Sequence, residues 1–165
     1  MPKTGAYRQL NIDLSTEDRV KSLWQDLATD PAYEGFDTTT LRAAKFVAAS
    51  KETQSTEWEF TVTPQLCNKG GNLHGGASAT MLDNLTSTAL LTIAKPGFLQ
   101  WGHVSRTLHT TYLRPVPVGT KVKVLCRVIA AGKNTANVYG EIRTMDDKIC
   151  VTCVHDKAVF QKSKL

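Results

Sequence analysis

The sequence predicts an α+β fold in which one long central helix is wrapped by a curved antiparallel sheet. The stretch from about Gly75 to Ala94 is apolar nearly all round and is stopped by Lys95-Pro96-Gly97, a pattern typical of a buried helix. The strand-like stretches that follow are joined by short turns, so neighbouring strands should be antiparallel. No second long helix follows, and a sheet that curls around the helix would cover it.

The elements before the central helix are read from periodicity. The stretch STEDRVKSLWQDLA predicts a short amphipathic helix at about 16–28, capped by Ser15 or Thr16. DPAYEGFD is a loop by composition, and LRAAKFVAASK favours a strand, although its alanines leave a helix open. EWEFTVT alternates apolar and polar residues, as a half-buried strand does.

Four strand-like stretches follow the central helix: HVSRTLHTTYLRP, TKVKVLCRVIAAG, TANVYGEIRT and KICVTCVHDKAVF. In the second, Val122, Val124, Cys126 and Val128 alternate with polar residues, which places them on one face. A single apolar helix with this run of antiparallel strands is the hot-dog fold, here with an extra N-terminal helix.

The chain of 165 residues fits one domain. We predict an N-terminal extension at 1–35, a hot-dog domain at 36–162 and a tail at 163–165. The net charge of +5 suits a phosphorylated ligand or an ordinary solvated surface. The basic residues are scattered and no nucleic-acid-binding signature is present, so nucleic acid is not an expected partner.

The sequence predicts neither a secretory leader nor a membrane span, because its start lacks a long apolar core and no window has about 20 apolar residues. Cys150 and Cys153 form a C-x-x-C pattern, but residues three apart on a strand point to opposite faces. No second such pair completes a zinc site, so no metal is expected.

The motif N-x-x-G-x-x-H-G-G, from Asn68 to Gly76, is followed by an acid at Asp83, nine residues after His74. This pattern closely resembles the PaaI-like hot-dog acyl-CoA thioesterases, and within them the thioesterase superfamily member 2 group. The resemblance covers roughly 36–160. It weakens at AKPGFLQWGHVSR, which is longer here, and at Arg106 and Thr107.

The resemblance implies roles for five residues. Gly75 would polarise the thioester carbonyl through its amide, Asp83 would be the catalytic carboxylate, and Asn68 would face the carbonyl or water. Ser105 would lie near the water and the acid, and His74 would set the loop and approach the thioester. The implied substrate is an acyl-CoA, with no cofactor beyond the coenzyme A that it carries.

Elementary chemistry supports the same two principal residues. Hydrolysis of a thioester needs a donor for the developing oxyanion and a base or nucleophile. Gly75 stands where the amides of a helix start lack partners, although it could serve only as a tight entry to the helix. Asp83 would be costly in an apolar helix unless it faces water or has a partner, such as the hydroxyl of Ser87 or a cation. Whether it attacks directly or activates water stays open.

Eight residues separate Gly75 from Asp83, which is about 12 Å along a helix. Both groups cannot act on one carbonyl within a single chain. The sequence therefore predicts a twofold homodimer whose sites take Gly75 from one subunit and Asp83 from the other. The family resemblance implies that two such dimers could associate as a dimer of dimers.

Two alternatives to hydrolysis stay open at this point: a hot-dog dehydratase or lyase acting on acyl thioesters, and a catalytically silent acyl-thioester-binding module. The fold alone does not separate them. The acyl group is also open among fatty, aryl and hydroxynaphthoyl groups.

The chain ends Ser163-Lys164-Leu165, the tripeptide that the peroxisomal import receptor recognises at a free C-terminus. We therefore expect a eukaryotic peroxisomal enzyme, with the cytoplasm as the alternative location if the tripeptide is an ordinary solvated tail.

Overall fold

A computed structural model describes residues 10–160. The helices are α1 (Thr16–Thr29), α2 (Thr38–Ala43) and α3 (Gly75–Ala89), and short 3₁₀ turns lie at Pro64–Leu66 and Leu90–Thr92. The strands are β1 (Lys45–Ser50), β2 (Ser55–Thr61), β3 (His103–Tyr112), β4 (Lys121–Ala131), β5 (Thr135–Thr144) and β6 (Ile149–Val159).

The six strands form one sheet in the order β1-β2-β4-β5-β6-β3, and every neighbouring pair is antiparallel. The predicted alternation on β4 is confirmed, since Val122, Val124 and Cys126 are buried. The chain leaves β2, forms α3 and returns at β3, which lies at the edge of the sheet. The prediction of a central helix against an antiparallel sheet is confirmed.

Helix α3 approaches the sheet closely at Gly140 on β5. A Cβ atom at that position would lie 2.5 Å from Thr86 Cγ2 and 3.1 Å from Leu82 Cδ2. Real side chains do not come so close, so the absence of a side chain at Gly140 sets the distance between helix and sheet. That distance in turn fixes where the polar residues of α3 meet the sheet.

The predicted N-terminal helix is confirmed with a cap at Ser15, whose Oγ accepts a hydrogen bond from the amide of Asp18 at 3.1 Å. Val20 and Trp24 are buried. The rings of Trp24 and Trp58 lie 4.5 Å apart, between centroids, so α1 packs into the same core as the sheet.

The central helix is shorter than predicted, because α3 ends at Ala89 and the chain continues as a 3₁₀ turn. The buried guanidinium of Arg19 donates hydrogen bonds to the carbonyls of Leu91 and Ala94 at 2.9 and 3.0 Å. A cation at the end of a helical segment satisfies carbonyls that have no partner within it.

The prediction of a strand over the stretch LRAAKFVAASK is wrong for the first residues of that stretch. Leu41 to Ala43 belong to α2, and the strand begins at Lys45. Alanine is the best helix former, and Leu41 is buried on the short helix. Local propensity therefore decides this segment up to Ala44, where the backbone becomes extended.

Candidate active site

The start of α3 is built around His74, which is the N-cap residue. Its Nδ1 accepts a hydrogen bond from the amide of Gly76 at 2.9 Å, and its carbonyl accepts one from the amide of Ser78 at 2.9 Å. Gly75 is the first helical residue, and its amide has no carbonyl one turn earlier in the helix. The arrangement provides a donor at the positive end of the helix dipole.

Asn68 holds the turn that leads into this helix. Its Oδ1 accepts hydrogen bonds from the amides of Gly70 at 2.9 Å and Asn72 at 3.2 Å. These bonds use the oxygen of the side-chain amide, so Nδ2 is the atom that can donate to a carbonyl. Asn68 and Gly75 line the same cleft of about 380 Å³.

Tyr112, near the end of β3, forms one wall of this first cleft. Its hydroxyl donates a hydrogen bond to the carbonyl of Gly75 at 3.0 Å. A Cβ atom at Gly75 would lie 3.3 Å from the Tyr112 ring. A side chain at Gly75 would therefore crowd the ring and narrow access to the amide.

Asp83 lies two turns into α3 and lines a second cleft, of about 320 Å³. Its side chain is 41% exposed, so the carboxylate faces solvent rather than the core. Ser105 Oγ donates a hydrogen bond to Asp83 Oδ1 at 2.7 Å. The structure thus brings together the acid and the serine that the sequence proposed as neighbours.

The far wall of the second cleft comes from the loop before α2. Asp37 joins this loop to α3, because Asn84 Nδ2 donates to Asp37 Oδ2 at 3.0 Å. Tyr33 donates its hydroxyl proton to the other oxygen of Asp37 at 2.6 Å, and this bond raises the pKa of Tyr33 to about 12. Phe36, 93% exposed, also lines the cleft.

The position of Ser105 follows from the pairing of β3 with β6. Ser105 lies opposite Lys157, and the register shifts between Ser105 and Thr107. The extra residue, Arg106, pairs with Asp156 at 3.2 Å. A bulge of this kind re-aims the side chains beside it, and here Ser105 reaches the acid on the helix.

The hydroxyl that bonds the Asp83 carboxylate is that of Ser105 and not that of Ser87, the example considered from the sequence. The Ser87 hydroxyl donates to the backbone carbonyl of Asp83 at 2.6 Å, as helical serines commonly do. Ser87 Oγ also accepts a hydrogen bond from Lys157 Nζ at 2.7 Å, and Lys157 Nζ donates a second one to Ser105 Oγ at 3.0 Å.

His155 is fully buried beside the acid, with Nε2 3.2 Å from Asp83 Oδ1. Its Nδ1 shares a hydrogen bond of 2.6 Å with Thr86 Oγ1, while Nε2 has no partner of good geometry among the described residues. Burial, reinforced by the nearby Lys157, lowers the pKa of His155 to about 4. The ring is therefore neutral at physiological pH, and the pair is not a salt bridge there.

The Thioesterase superfamily model matches residues 70–151, which hold the motif from Gly70 onward, α3 and strands β3 to β5. Residues 70–151 are a thioesterase superfamily domain. Mouse acyl-coenzyme A thioesterase 13 is 32% identical over 80 residues, and the human protein of the same name is 34% identical over 80 residues. Each match covers 47% of this chain and 53% of the relative, so the chain spans about half the length of these curated relatives.

Solved structures of thioesterase superfamily members share the fold. Zebra fish thioesterase superfamily member 2 matches with a TM-score of 0.74 at 24% identity, covering 87% of this chain and 97% of that one. The mouse member 2 matches with a TM-score of 0.73 at 24% identity, covering 89% and 99%. The hot-dog fold predicted from the sequence is confirmed.

The five predicted residues fall into two groups. Asn68, His74 and Gly75 lie at or just before the start of α3, whereas Asp83 lies about 12 Å further along the helix, by its rise, with Ser105 of β3 beside it. Asn68 and Gly75 line the first cleft, and Asp83 lines the second.

Lys157 and His155 were not among the residues predicted for the site. Both alternate with Cys153 along one face of β6, and all three are buried. A basic residue and a histidine on the inward face of a strand were the signal that could have found them.

Two further findings concern metal sites and membrane-spanning helices among the described residues. No cluster of three or more His, Cys, Asp or Glu side chains suited to a metal ion occurs between residues 10 and 160. Over the same range, no helix is long and apolar enough to cross a membrane.

Proposed function

We propose that this chain hydrolyses acyl-CoA thioesters to a free acid and coenzyme A. The observation that carries the proposal is the hydrogen bond from Ser105 to the Asp83 carboxylate in an open cleft of a thioesterase superfamily domain. The curated relatives are named as acyl-coenzyme A thioesterases. The net charge of +5 also suits the phosphates of coenzyme A.

The roles of the residues follow from the chemistry of the reaction. The Gly75 amide, with Asn68, would bind the carbonyl oxygen and stabilise the charge that develops on it. Asp83 either takes a proton from the attacking water or attacks the carbonyl itself and forms an anhydride that water then opens. In both routes the bond from carbon to sulfur breaks, and the departing thiolate takes up a proton.

The active site would be shared between two chains. Gly75 and Asp83 line different clefts of one chain, so a single carbonyl would meet both only where a second copy brings its own helix alongside. Strand β3, which is ten residues long and includes Ser105, is an edge strand of the sheet formed by the described residues. A long open edge is normally covered, and two such edges paired about a twofold axis run antiparallel.

The test is a panel of fatty, aryl and hydroxynaphthoyl acyl-CoAs, with the released thiol detected by a chromogenic disulfide. Stoichiometric free thiol and acid would support hydrolysis. Conversion of hydroxyacyl-CoA to enoyl-CoA without thiol would favour the lyase, and binding without turnover of any substrate would favour the silent module. Asp83→Asn serves as the control for a contaminating esterase.

We also propose a peroxisomal location where Ser163-Lys164-Leu165 forms the free C-terminus. These residues lie outside the described range, and the proposal rests on the tripeptide and on its agreement with acyl-CoA chemistry. A fluorescent protein fused at the N-terminus, with and without Leu165, tests it in cells. Diffuse cytosolic signal from the intact tail would reject the location and leave the hydrolase proposal standing.

A further inference from the structure

Lys157 on β6 is a buried lysine, with only 3% of the residue exposed. Its Nζ donates hydrogen bonds to Ser87 Oγ at 2.7 Å and to Ser105 Oγ at 3.0 Å. Burying an ammonium group is costly unless it is well hydrogen-bonded and faces an opposite charge. A lysine in this position therefore suggests a role other than stability.

The strand register places Lys157 beside Ser105. The two residues are directly opposite each other in the β3–β6 pair, so their side chains project to the same face. Ser105 in turn donates its only hydroxyl hydrogen to Asp83 Oδ1. Because the ammonium can only donate, it occupies a lone pair of the serine oxygen and leaves the hydrogen for Asp83.

The titratable and polar groups around Lys157 come from three elements. They are Asp83 and Ser87 on α3, His103 and Ser105 on β3, and Cys153 and His155 on β6. Burial lowers the pKa of His103 to about 3 and raises that of Cys153 to about 12. With both histidines and the thiol neutral, the Lys157 ammonium is the positive charge of this cluster that faces the Asp83 carboxylate.

We propose that Lys157 is a positioning residue that acts through Ser105, holding the serine hydroxyl toward Asp83 so that the carboxylate keeps the orientation needed for reaction. This inference rests on the proposed hydrolase function and extends it to a residue that touches no substrate. It requires that Lys157 and Ser105 work as one unit.

The first test is a double-mutant cycle on acyl-CoA hydrolysis with Lys157→Met and Ser105→Ala. Lys157→Met should lower kcat about tenfold with KM changed less than about threefold, the effect of losing one hydrogen bond from a charged donor. The double variant should be no slower than the slower single variant, because the two residues form one chain of bonds. Lys121→Met, which removes an exposed lysine paired with Glu59, is the matched control and should leave kcat unchanged.

The second test is the pH profile of kcat. Burial lowers the pKa of Lys157 to about 8, an effect that the nearby Asp83 opposes. The neutral amine can accept the serine hydrogen and turn it away from Asp83, so kcat of the native chain should fall above about pH 8. Lys157→Met should lack this alkaline decline. A decline that persists in Lys157→Met, or additive effects in the cycle, would overturn the proposal.

A third measurement is independent of activity. In protein labelled with ¹³C-lysine, the εCH₂ signal of Lys157 is the one that disappears in Lys157→Met. This signal should titrate with a midpoint near pH 8 in the native chain. The midpoint should be lower still in Asp83→Asn, because the attraction of the carboxylate is lost. A midpoint at the ordinary lysine value of 10.5 would overturn the coupling. If no acyl-CoA is hydrolysed, the proposed function fails while this titration still decides whether Lys157 and Asp83 are coupled.

Discussion

Ser105 Oγ lies 2.7 Å from Asp83 Oδ1, although the two residues are 22 positions apart and belong to different elements. Asp83 projects from α3, and Ser105 projects from the edge strand of the sheet that packs against that helix. The bulge in β3 beside Ser105 and the close approach of α3 at Gly140 both contribute to this contact. The position of the acid is therefore set by how the helix sits in the sheet.

Asp83→Asn should lower kcat for acyl-CoA hydrolysis by at least about 10²-fold, because a base or nucleophile is lost while the scaffold remains. The amide can still accept the hydrogen bond from Ser105, so the fold should be retained. Steady-state kinetics with thiol detection, together with circular dichroism, measure both expectations.

Graded variants provide the control for this prediction. Asn68→Ala should lower kcat less than Asp83→Asn, and Ser105→Ala less again, since neither supplies the reacting group. Near-normal turnover of acyl-CoA by Asp83→Asn would remove Asp83 from the mechanism.

Most of the fold followed from local sequence patterns. The period-2 stretches located the strands, and the apolar run after Gly75 located the central helix. The end of that helix was misplaced because Leu90–Thr92 remains apolar and helical but tightens to a 3₁₀ turn. Periodicity does not separate these two forms, and Arg19, which holds the carbonyls beyond the turn, is distant in sequence.

Local sequence signals predicted the site only where one segment carries it. His74 and Gly75 were evident because a histidine and glycines opening a helix form a local signal. Ser105 was placed near Asp83 only through the family resemblance, and Lys157 was missed because it reaches the cluster through the pairing of β3 with β6. Ser87 was considered as a partner of the Asp83 carboxylate because it lies one turn away on the same helix, but its hydroxyl bonds the backbone carbonyl instead.

Mixed dimers should recover activity from two inactive parents. Asp83→Ala removes the carboxylate, and Gly75→Val obstructs the helix start, where even a Cβ would lie 3.3 Å from the Tyr112 ring. After co-refolding, a hybrid dimer contains one site with both groups intact. The activity of the purified hybrid fraction should therefore approach half that of the native dimer.

The hybrid experiment needs a control for exchange of subunits. Differently tagged parents purified through both tags isolate the hybrid, and each parent refolded alone gives the background. Hybrids as inactive as their parents, or a fully active native monomer, would contradict a site shared between chains.

Gly140→Ala should destabilise the fold by about 1–3 kcal/mol, the usual cost of overpacking a core. The new methyl group would lie 2.5 Å from Thr86 Cγ2, so helix and sheet must separate. Gly132→Ala is the matched control, because a Cβ there meets only the carbonyl of Thr135, at 3.8 Å. Urea denaturation of both variants measures the difference, and equal midpoints would contradict the close approach.

Acid should destabilise the fold through its buried histidines. Burial lowers the pKa of His155 to about 4 from an ordinary value of 6.5, so between these values the unfolded chain binds a proton that the folded chain does not. The stability present above pH 6.5 is then lost as the pH falls toward 4. His155→Gln removes this proton uptake, so its free energy of unfolding should fall less steeply, by up to about 1.4 kcal/mol per pH unit. Urea denaturation at intervals between pH 4.5 and 7.5 measures how the free energy of unfolding depends on pH in the native chain and in His155→Gln. The carboxylates titrate in both proteins, so their contribution is common to the two slopes. Parallel slopes would show that His155 takes up its proton in the folded state.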